Sequence, residues 1–256
     1  MPSPAENRGG ISIWSPPLGA LPDAARFGMA RRAGGVSRGP YASLNLGLGV
    51  GDEEQAVLEN RRRIRALLGM AEDGPLRLHQ VHGRVLAEPK DAPCEADGFI
   101  VRAGDPWVAV SAADCAPVAI VSPDAARGAL LHCGWRGARE RIAAHAVTRL
   151  VASGCPAGSL HAAIGPCLMP CCFPIGPEVA AEFHPSLLRP HPTGQPALDL
   201  PEAIATGLIE AGVPAERIRR ASECTSCAIE WYFSHRRDRG ITGRHWAFLR
   251  LEPPGP

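Results

Sequence analysis

Three segments carry residues able to do chemistry: Leu78-His79-Gln80-Val81-His82-Gly83, Ala113-Asp114-Cys115-Ala116-Pro117 and Leu131-His132-Cys133-Gly134-Trp135-Arg136-Gly137. Each sets a soft or borderline metal ligand among small, turn-permitting residues. Two imidazoles and one thiolate with a fourth position open suit a catalytic zinc ion, with water or substrate in that position. The candidates His82, Cys115 and His132 stand 33 and 17 residues apart. Local zinc modules use short Cys-x-x-Cys steps, so the fold has to assemble this set. His79 and His82 flank a Gln-Val step, and on an extended segment they face opposite ways, so one of them reaches the site.

Two chemistries fit such a set. A metal held by it lowers the pKa of bound water toward roughly 7 and supplies hydroxide at neutral pH. Alternatively Cys115 is itself a nucleophile, with a histidine as base and Asp114 orienting the pair. Mixed sulfur and nitrogen ligation suits zinc and also copper. A multicopper centre uses many histidines in paired His-x-His motifs. This chain has nine histidines and no His-x-His, which argues against a laccase.

The elements that must position these residues are short apolar runs, read as buried strands at Trp107–Ser111, Ala116–Val121 and Gly128–His132. Cys115 and His132 lie at the ends of two of them. Leu160–Ile164 is a further strand stopped by Gly165-Pro166, and Ile218–Ser222 and His245–Leu251 follow. Asp52 is placed to cap a helix through Leu68, closed by Gly69, with Val57, Ile64, Leu67 and Leu68 near one face. Arg61 to Arg63 and Arg65 read as its solvated side. Helical spacing also marks Gly137–Ala152, Pro177–Phe183 and Pro201–Ala211, the last two opening on proline. The first forty residues read as loop-rich, and residues 1–20 as loop or poorly ordered. Strands and helices interleave without the regular alternation of a doubly wound sheet. The expectation is one α/β (α+β) domain over residues 1–256, with mixed β-sheets.

Composition narrows the function classes. The 256 residues are 45% hydrophobic and 21% charged, ordinary for a soluble globular protein. A net charge of +1 recommends no polyanionic partner and no nucleic-acid face. No stretch approaches the roughly 20 apolar residues of a membrane span, and Met1–Gly10 lacks the pattern of a secretory signal. A cytoplasmic protein is expected. Its nine cysteines should then mostly be free thiols. Cys224-Thr-Ser-Cys227 has redox or zinc spacing but no second Cys-x-x-Cys beside it, and is read as structural. Cys167, Cys171 and Cys172 are read as core or as an oxidation liability, since adjacent cysteines on extended chain point to opposite sides.

Many further motifs occur in a recognisable order. They include Arg32-Ala-Gly-Gly-Val-Ser37, Tyr41-Ala-Ser-Leu-Asn45-Leu-Gly47, Val50-Gly-Asp52, Asn60-Arg61, His79-Gln-Val-His-Gly83 and Ala96-Asp97. They continue through Ala113-Asp-Cys115, His132-x-Gly-Trp-Arg-Gly137, Ile164-Gly-Pro166, Cys224-Thr225, Phe233-Ser234, Arg236-Arg237 and Gly243-Arg244. Over nearly its whole length the chain resembles the laccase-domain proteins. That family was long labelled polyphenol oxidase and is now regarded as bacterial purine nucleoside phosphorylases.

The resemblance implies a layered α/β/β/α fold similar to the cysteine hydrolase superfamily. It implies zinc (Zn2+, copper being the lesser candidate) on His82, Cys115 and His132, which selects His82 over His79. It also implies phosphorolysis of adenosine, inosine, guanosine and methylthioadenosine, together with adenosine deamination. A hydrolase editing peptidoglycan precursors, a copper polyphenol oxidase and a non-enzymatic metal-binding protein are the alternatives.

Deamination needs an activated water at C6 of the purine. Phosphorolysis needs phosphate against ribose C1′, and arginine suits phosphate through its planar donor fork. Arg32, Arg136 and Arg236 lie in matching motifs and are the phosphate candidates; Asn45, Gln80 and Ser234 could hydrogen-bond base or ribose. A monomer acting on small molecules is expected. Three departures from the family pattern stand out: Cys133 where alanine is usual, Phe233-Ser-His235 for Phe-Ser-Tyr, and Ala113 before Asp114 where threonine is frequent.

Overall fold

The computed structural model describes residues 10–253. Along the chain run β1 (Ile13–Trp14), β2 (Ala25–Ala30), α1 (Glu54–Leu68), β3 (Leu86–Ala87), β4 (Gly98–Arg102) and β5 (Val108–Ala112). Then come β6 (Ala116–Val121), β7 (Arg127–Cys133), α2 (Trp135–Arg139), α3 (Ile142–Ala152), β8 (His161–Ile164), α4 (Pro177–Ala180), β9 (Leu188–Pro190) and β10 (Pro196–Leu198). α5 (Leu200–Glu210), β11 (Ile218–Arg220) and β12 (His245–Leu251) complete the order.

Two principal sheets form. An antiparallel one has order β1-β2-β12-β5, and a mixed one has order β11-β8-β6-β7-β4-β3, with parallel pairs only at its two edges. The sheets pack face to face through Phe99, Val101, Ala119 and Leu130 of one and Val108, Val110, Ala247 and Leu249 of the other. On the far side of the mixed sheet, α3 and α5 bury Ile142, Val147, Leu150, Ile204 and Leu208. Each such side chain contributes about 1.5–3 kcal/mol relative to exposure. On the far side of the antiparallel sheet, Ile64 of α1 packs with Trp246 and Phe248. The layers are therefore α/β/β/α. All of β6 is buried, as an uninterrupted apolar run in a twice-covered strand should be.

Several local expectations are corrected. The loop-rich N-terminal region contains β1 and β2; part of residues 1–20 lies outside the described residues. Gly28 hid β2 from pattern reading, yet a Cβ there would sit 2.8 Å from Ile13 Cγ2, so close strand packing requires the glycine. Gly98 likewise masks β4.

Asp52 does not cap α1. Its carboxylate accepts from Ser37 Oγ (2.6 Å), Asn45 Nδ2 (2.9 Å) and the Glu53 N–H (2.9 Å), and the N-cap is Glu53, whose side chain makes no capping bond. Gly69 does close the helix, with φ 62°. Arg61 is not solvated: it is 6% exposed and donates twice to the Leu46 carbonyl (2.9 and 2.8 Å). The expected Gly137–Ala152 helix is two helices, broken where Arg141 turns left-handed at φ 60°. The helix at Pro177 ends at Ala180, short of Phe183.

Candidate metal centre

The chain crosses between the two sheets in one tight turn, from the end of β5 to the start of β6. That turn is Ala113-Asp114-Cys115, with Asp114 at φ 95°. It is held from three sides: Leu168 N–H donates to the Asp114 carbonyl (2.9 Å), and Thr225 Oγ1 and the Arg236 N–H donate to its carboxylate (each 2.7 Å). β7 runs antiparallel to β6, with Cys133 opposite Ala116. His132, next to last in β7 and opposite Pro117, therefore lies beside the place where Cys115 leads into β6. His82 arrives from the loop before β3, with left-handed backbone at φ 62°.

Asp97, at the head of β4, joins these parts. It is fully buried; its carboxylate accepts from the N–H groups of Val81 (3.2 Å), His82 (2.9 Å) and Gly83 (2.7 Å), and pairs with His132 Nδ1 at 2.9 Å. Burial works to raise the Asp97 carboxyl, but the His132 bond and the surrounding N–H groups outweigh it and hold it below its ordinary value. The ionised carboxylate accepts a proton-bearing Nδ1, which leaves Nε2 as the His132 nitrogen free to ligate.

The ligating atoms of His82, Cys115 and His132 lie within 4.8 Å of one another. The two imidazole rings meet edge to face, centroids 4.9 Å apart. Burial alone would raise the Cys115 thiol, yet the two histidines, His132 foremost, bring it down to about 6. Burial would lower His132, but Cys115 and Asp97 lift it to about 9. The charged form of each group thus favours the charged form of the other. Two nitrogens and one thiolate, one histidine braced by a carboxylate, match the donor set of a catalytic zinc site with an open position. Gly134 is part of the design: a Cβ there would stand 2.8 Å from Cys115 Sγ and 3.6 Å from the His82 ring.

The cluster lies in a cleft of about 630 Å³, ample for a nucleoside-sized ligand. Arg61, Arg77, Arg136, Arg236 and Arg244 line it, and Asp114, already engaged, is the one carboxylate lining it among the described residues. Arg61 is pushed down to about 10 by burial, then by the charges of Arg77 and Arg65. Cationic groups crowded in a half-buried cleft without matching carboxylates favour an anionic ligand. A second cleft of about 570 Å³ borders Trp14, Arg31, Glu223 and Trp231. None of His82, Cys115 and His132 lines it, so the chemistry is assigned to the first.

The residues proposed from sequence divide in two. His82, Cys115, His132, Gln80, Arg136 and Arg236 line the cleft; Arg32, Asn45 and Ser234 do not. The Arg32 guanidinium donates to the carbonyls of Ala42 and Ile229 and stacks on Phe233. Asn45, fully buried, spends its amide on Gly47, Asp52 and the Arg244 N–H. Ser234 is equally buried and accepts from the Arg237 N–H. Gln80 uses its amide as an extra strand residue, bonding both N–H and C=O of Ser111 at 2.7 and 2.8 Å. Cys133 points into the core between the mixed sheet and its helices, away from the centre, and burial pushes its thiol up.

Sequence reasoning passed over Asp97, Arg77 and Arg244 as site residues. Asp97 was in view as an Ala-Asp pair, but its role appears only when β4 and β7 are paired.

A family model described as multi-copper polyphenol oxidoreductase laccase matches residues 26–252. The purine nucleoside phosphorylase YlmD of Geobacillus stearothermophilus is 36% identical, over 95% of this chain and 95% of its own length. The adenosine deaminase RL5, from an unknown prokaryote, is 31% identical over 78% of this chain and 84% of its own. The crystal structure of YlmD from G. stearothermophilus superposes with a TM-score of 0.87 at 34% identity, covering 95% of this chain and 97% of that one. The chain thus belongs to the laccase-domain family of the matching model, whose relatives include proteins named purine nucleoside phosphorylase.

Proposed function

We propose that the protein is a single-domain purine nucleoside phosphorylase that also deaminates adenosine, with zinc held by His82, Cys115 and His132. The observation that carries this reading is the two-histidine, one-cysteine centre set in a cleft walled by arginines. A zinc ion bound there supplies Lewis acidity at the reacting atoms. The protein's own groups do the rest. Asp97 fixes the His132 tautomer and presents Nε2 to the centre. Arg77, with Arg61 and Arg244 lining the same cleft, binds phosphate and neutralises its charge. In phosphorolysis a phosphate oxygen bonds ribose C1′ as the C1′–N9 bond breaks, and the bonding pair leaves with the base. In deamination a water oxygen bonds C6 and ammonia leaves.

The candidate centre contains two histidines, too few for a multicopper array, which favours zinc over copper. The enzyme is taken to act as a cytoplasmic monomer on small molecules, without nucleic acid or membrane. No helix among the described residues is long and apolar enough to cross a membrane. The test is a panel of adenosine, inosine, guanosine and methylthioadenosine given to zinc-loaded protein with and without phosphate. Base should appear only with phosphate, and adenosine should also yield inosine. Metal-loaded protein that converts none of the four overturns the proposal.

A second reading rests on the lowered Cys115 thiol beside His132: a cysteine hydrolase acting on cell-wall precursors. Fast alkylation of Cys115 in protein as purified, unchanged by chelator, favours that reading over a metal ligand.

A further inference from the structure

Four other thiols meet where two turns run from the core to the surface, Cys224 buried and Cys171 and Cys227 exposed. Cys171 and Cys172 lie in the one-turn helix Pro170–Cys172 that follows β8, and Cys224 and Cys227 lie in the turn that follows β11. β8 and β11 are parallel neighbours, so both turns leave the same end of the sheet. Cys167 and Cys224 continue the pairing as an isolated parallel bridge, and the Thr225 N–H donates to the Cys167 carbonyl (3.0 Å). Adjacent cysteines on an extended strand would diverge. Here the tight helical turn brings both Cys171 and Cys172 toward Cys227, at 3.6 and 3.3 Å between sulfurs.

All four sulfurs lie within 4.8 Å of one another. Zinc–sulfur bonds of 2.3 Å in a tetrahedron place sulfurs about 3.8 Å apart, so the spread fits a single ion with small adjustments. Cys224-Thr-Ser-Cys227 has the Cys-x-x-Cys spacing by which a single turn offers two thiolates to one ion. Two of the thiols, Cys171 and Cys227, are exposed, a costly placement for free cysteines with no chemical task.

We propose that Cys171, Cys172, Cys224 and Cys227 form a second, structural metal site that binds one zinc ion with four thiolates. All four protein positions are filled by cysteine, so the site is closed and offers substrate no place. Its place in the fold gives it a purpose. The same two loops supply Leu168, which holds the Asp114 carbonyl, and Thr225, which holds the Asp114 carboxylate. The ion clamps both loops behind the turn that presents Cys115. Binding exchanges thiol protons for metal; no electron transfer is involved.

The test is zinc content per chain, by elemental mass spectrometry on full-length protein purified under reducing conditions without added chelator. Wild type should carry about two zinc ions. Cys171→Ser, Cys227→Ser and Cys115→Ser should each carry about one, and Cys115→Ser/Cys227→Ser close to none. Wild type holding about one ion that Cys115→Ser abolishes overturns the proposal. So does a disulfide joining Cys227 to Cys171 or Cys172 in freshly reduced, metal-loaded protein. Cobalt spectra of Cys115→Ser keep the test decisive should the other variants fail to fold. The intense thiolate-to-cobalt bands of a tetrathiolate site are expected, and their absence overturns the proposal.

Discussion

On the two proposals above, the centre at Cys115 and the thiol group at Cys171, Cys172, Cys224 and Cys227 use the same sulfur ligand to opposite ends. At Cys115 one thiol shares its space with two imidazoles, one braced by the buried Asp97, at the floor of an arginine-lined cleft. At the other group four thiols come together without an imidazole among them, on two turns whose cysteines do not line that cleft. An incomplete set of ligands in a cleft leaves room for a reacting molecule; a complete set on two loops leaves none and instead fixes the loops. Ligand number and surroundings, rather than the presence of cysteine, separate chemistry from scaffolding.

The largest effect expected from testing this contrast is at Cys115. Cys115→Ser should lower kcat/KM for nucleosides by more than about 10³-fold. Cys227→Ser should act chiefly on thermal stability, and equal losses of activity in the two variants would erase the distinction. Asp97→Asn comes next. It leaves the ring in place but removes the anion that holds His132 in its ligating tautomer, so metal affinity should fall about 10–100-fold in a competition titration. Unchanged affinity would remove Asp97 from the centre.

A smaller effect is expected at the cleft wall. Arg77→Gln should raise the KM for phosphate about tenfold, equivalent to about 1.4 kcal/mol, with little change in the KM for inosine. An equal rise in both would mean that Arg77 shapes the cleft without contacting phosphate. The smallest is a pH effect in zinc-stripped protein. A thiol brought down to about 6 is ionised above that pH, so alkylation of Cys115 should rise to a plateau from a midpoint near pH 6. It should fall off below, where the thiol is protonated. A midpoint in the ordinary thiol range, about 8.5, would contradict the lowering of the Cys115 thiol by the two histidines.

How far the sequence could be read follows the same division between local and assembled features. Apolar runs made β6, β7 and β12 legible, because a strand covered on both faces needs an uninterrupted hydrophobic stretch. Gly28 and Gly98 concealed β2 and β4, since close packing had replaced the side chains that announce a strand. The three candidate ligands were suggested by residue type and singled out by the family resemblance, and the fold brings them together. Asp97 and Arg61 were not, because each acts through a pairing that exists only in the fold: β4 with β7, and α1 with the Leu46 carbonyl. Asn45 and Ser234 err the other way. Polar residues in a recognised motif resembled substrate contacts, whereas burial commits them to the backbone. The four-thiol group is the clearest case, for its halves lie more than fifty residues apart and meet only because β8 and β11 are parallel neighbours.

The most direct test of the catalytic centre follows phosphorus. Zinc-loaded protein given inosine and phosphate should produce ribose 1-phosphate in the ³¹P spectrum, equimolar with hypoxanthine, and Cys115→Ser should produce neither. Hypoxanthine appearing with free ribose, or a phosphate signal unchanged while wild type consumes inosine, would contradict phosphorolysis at this centre.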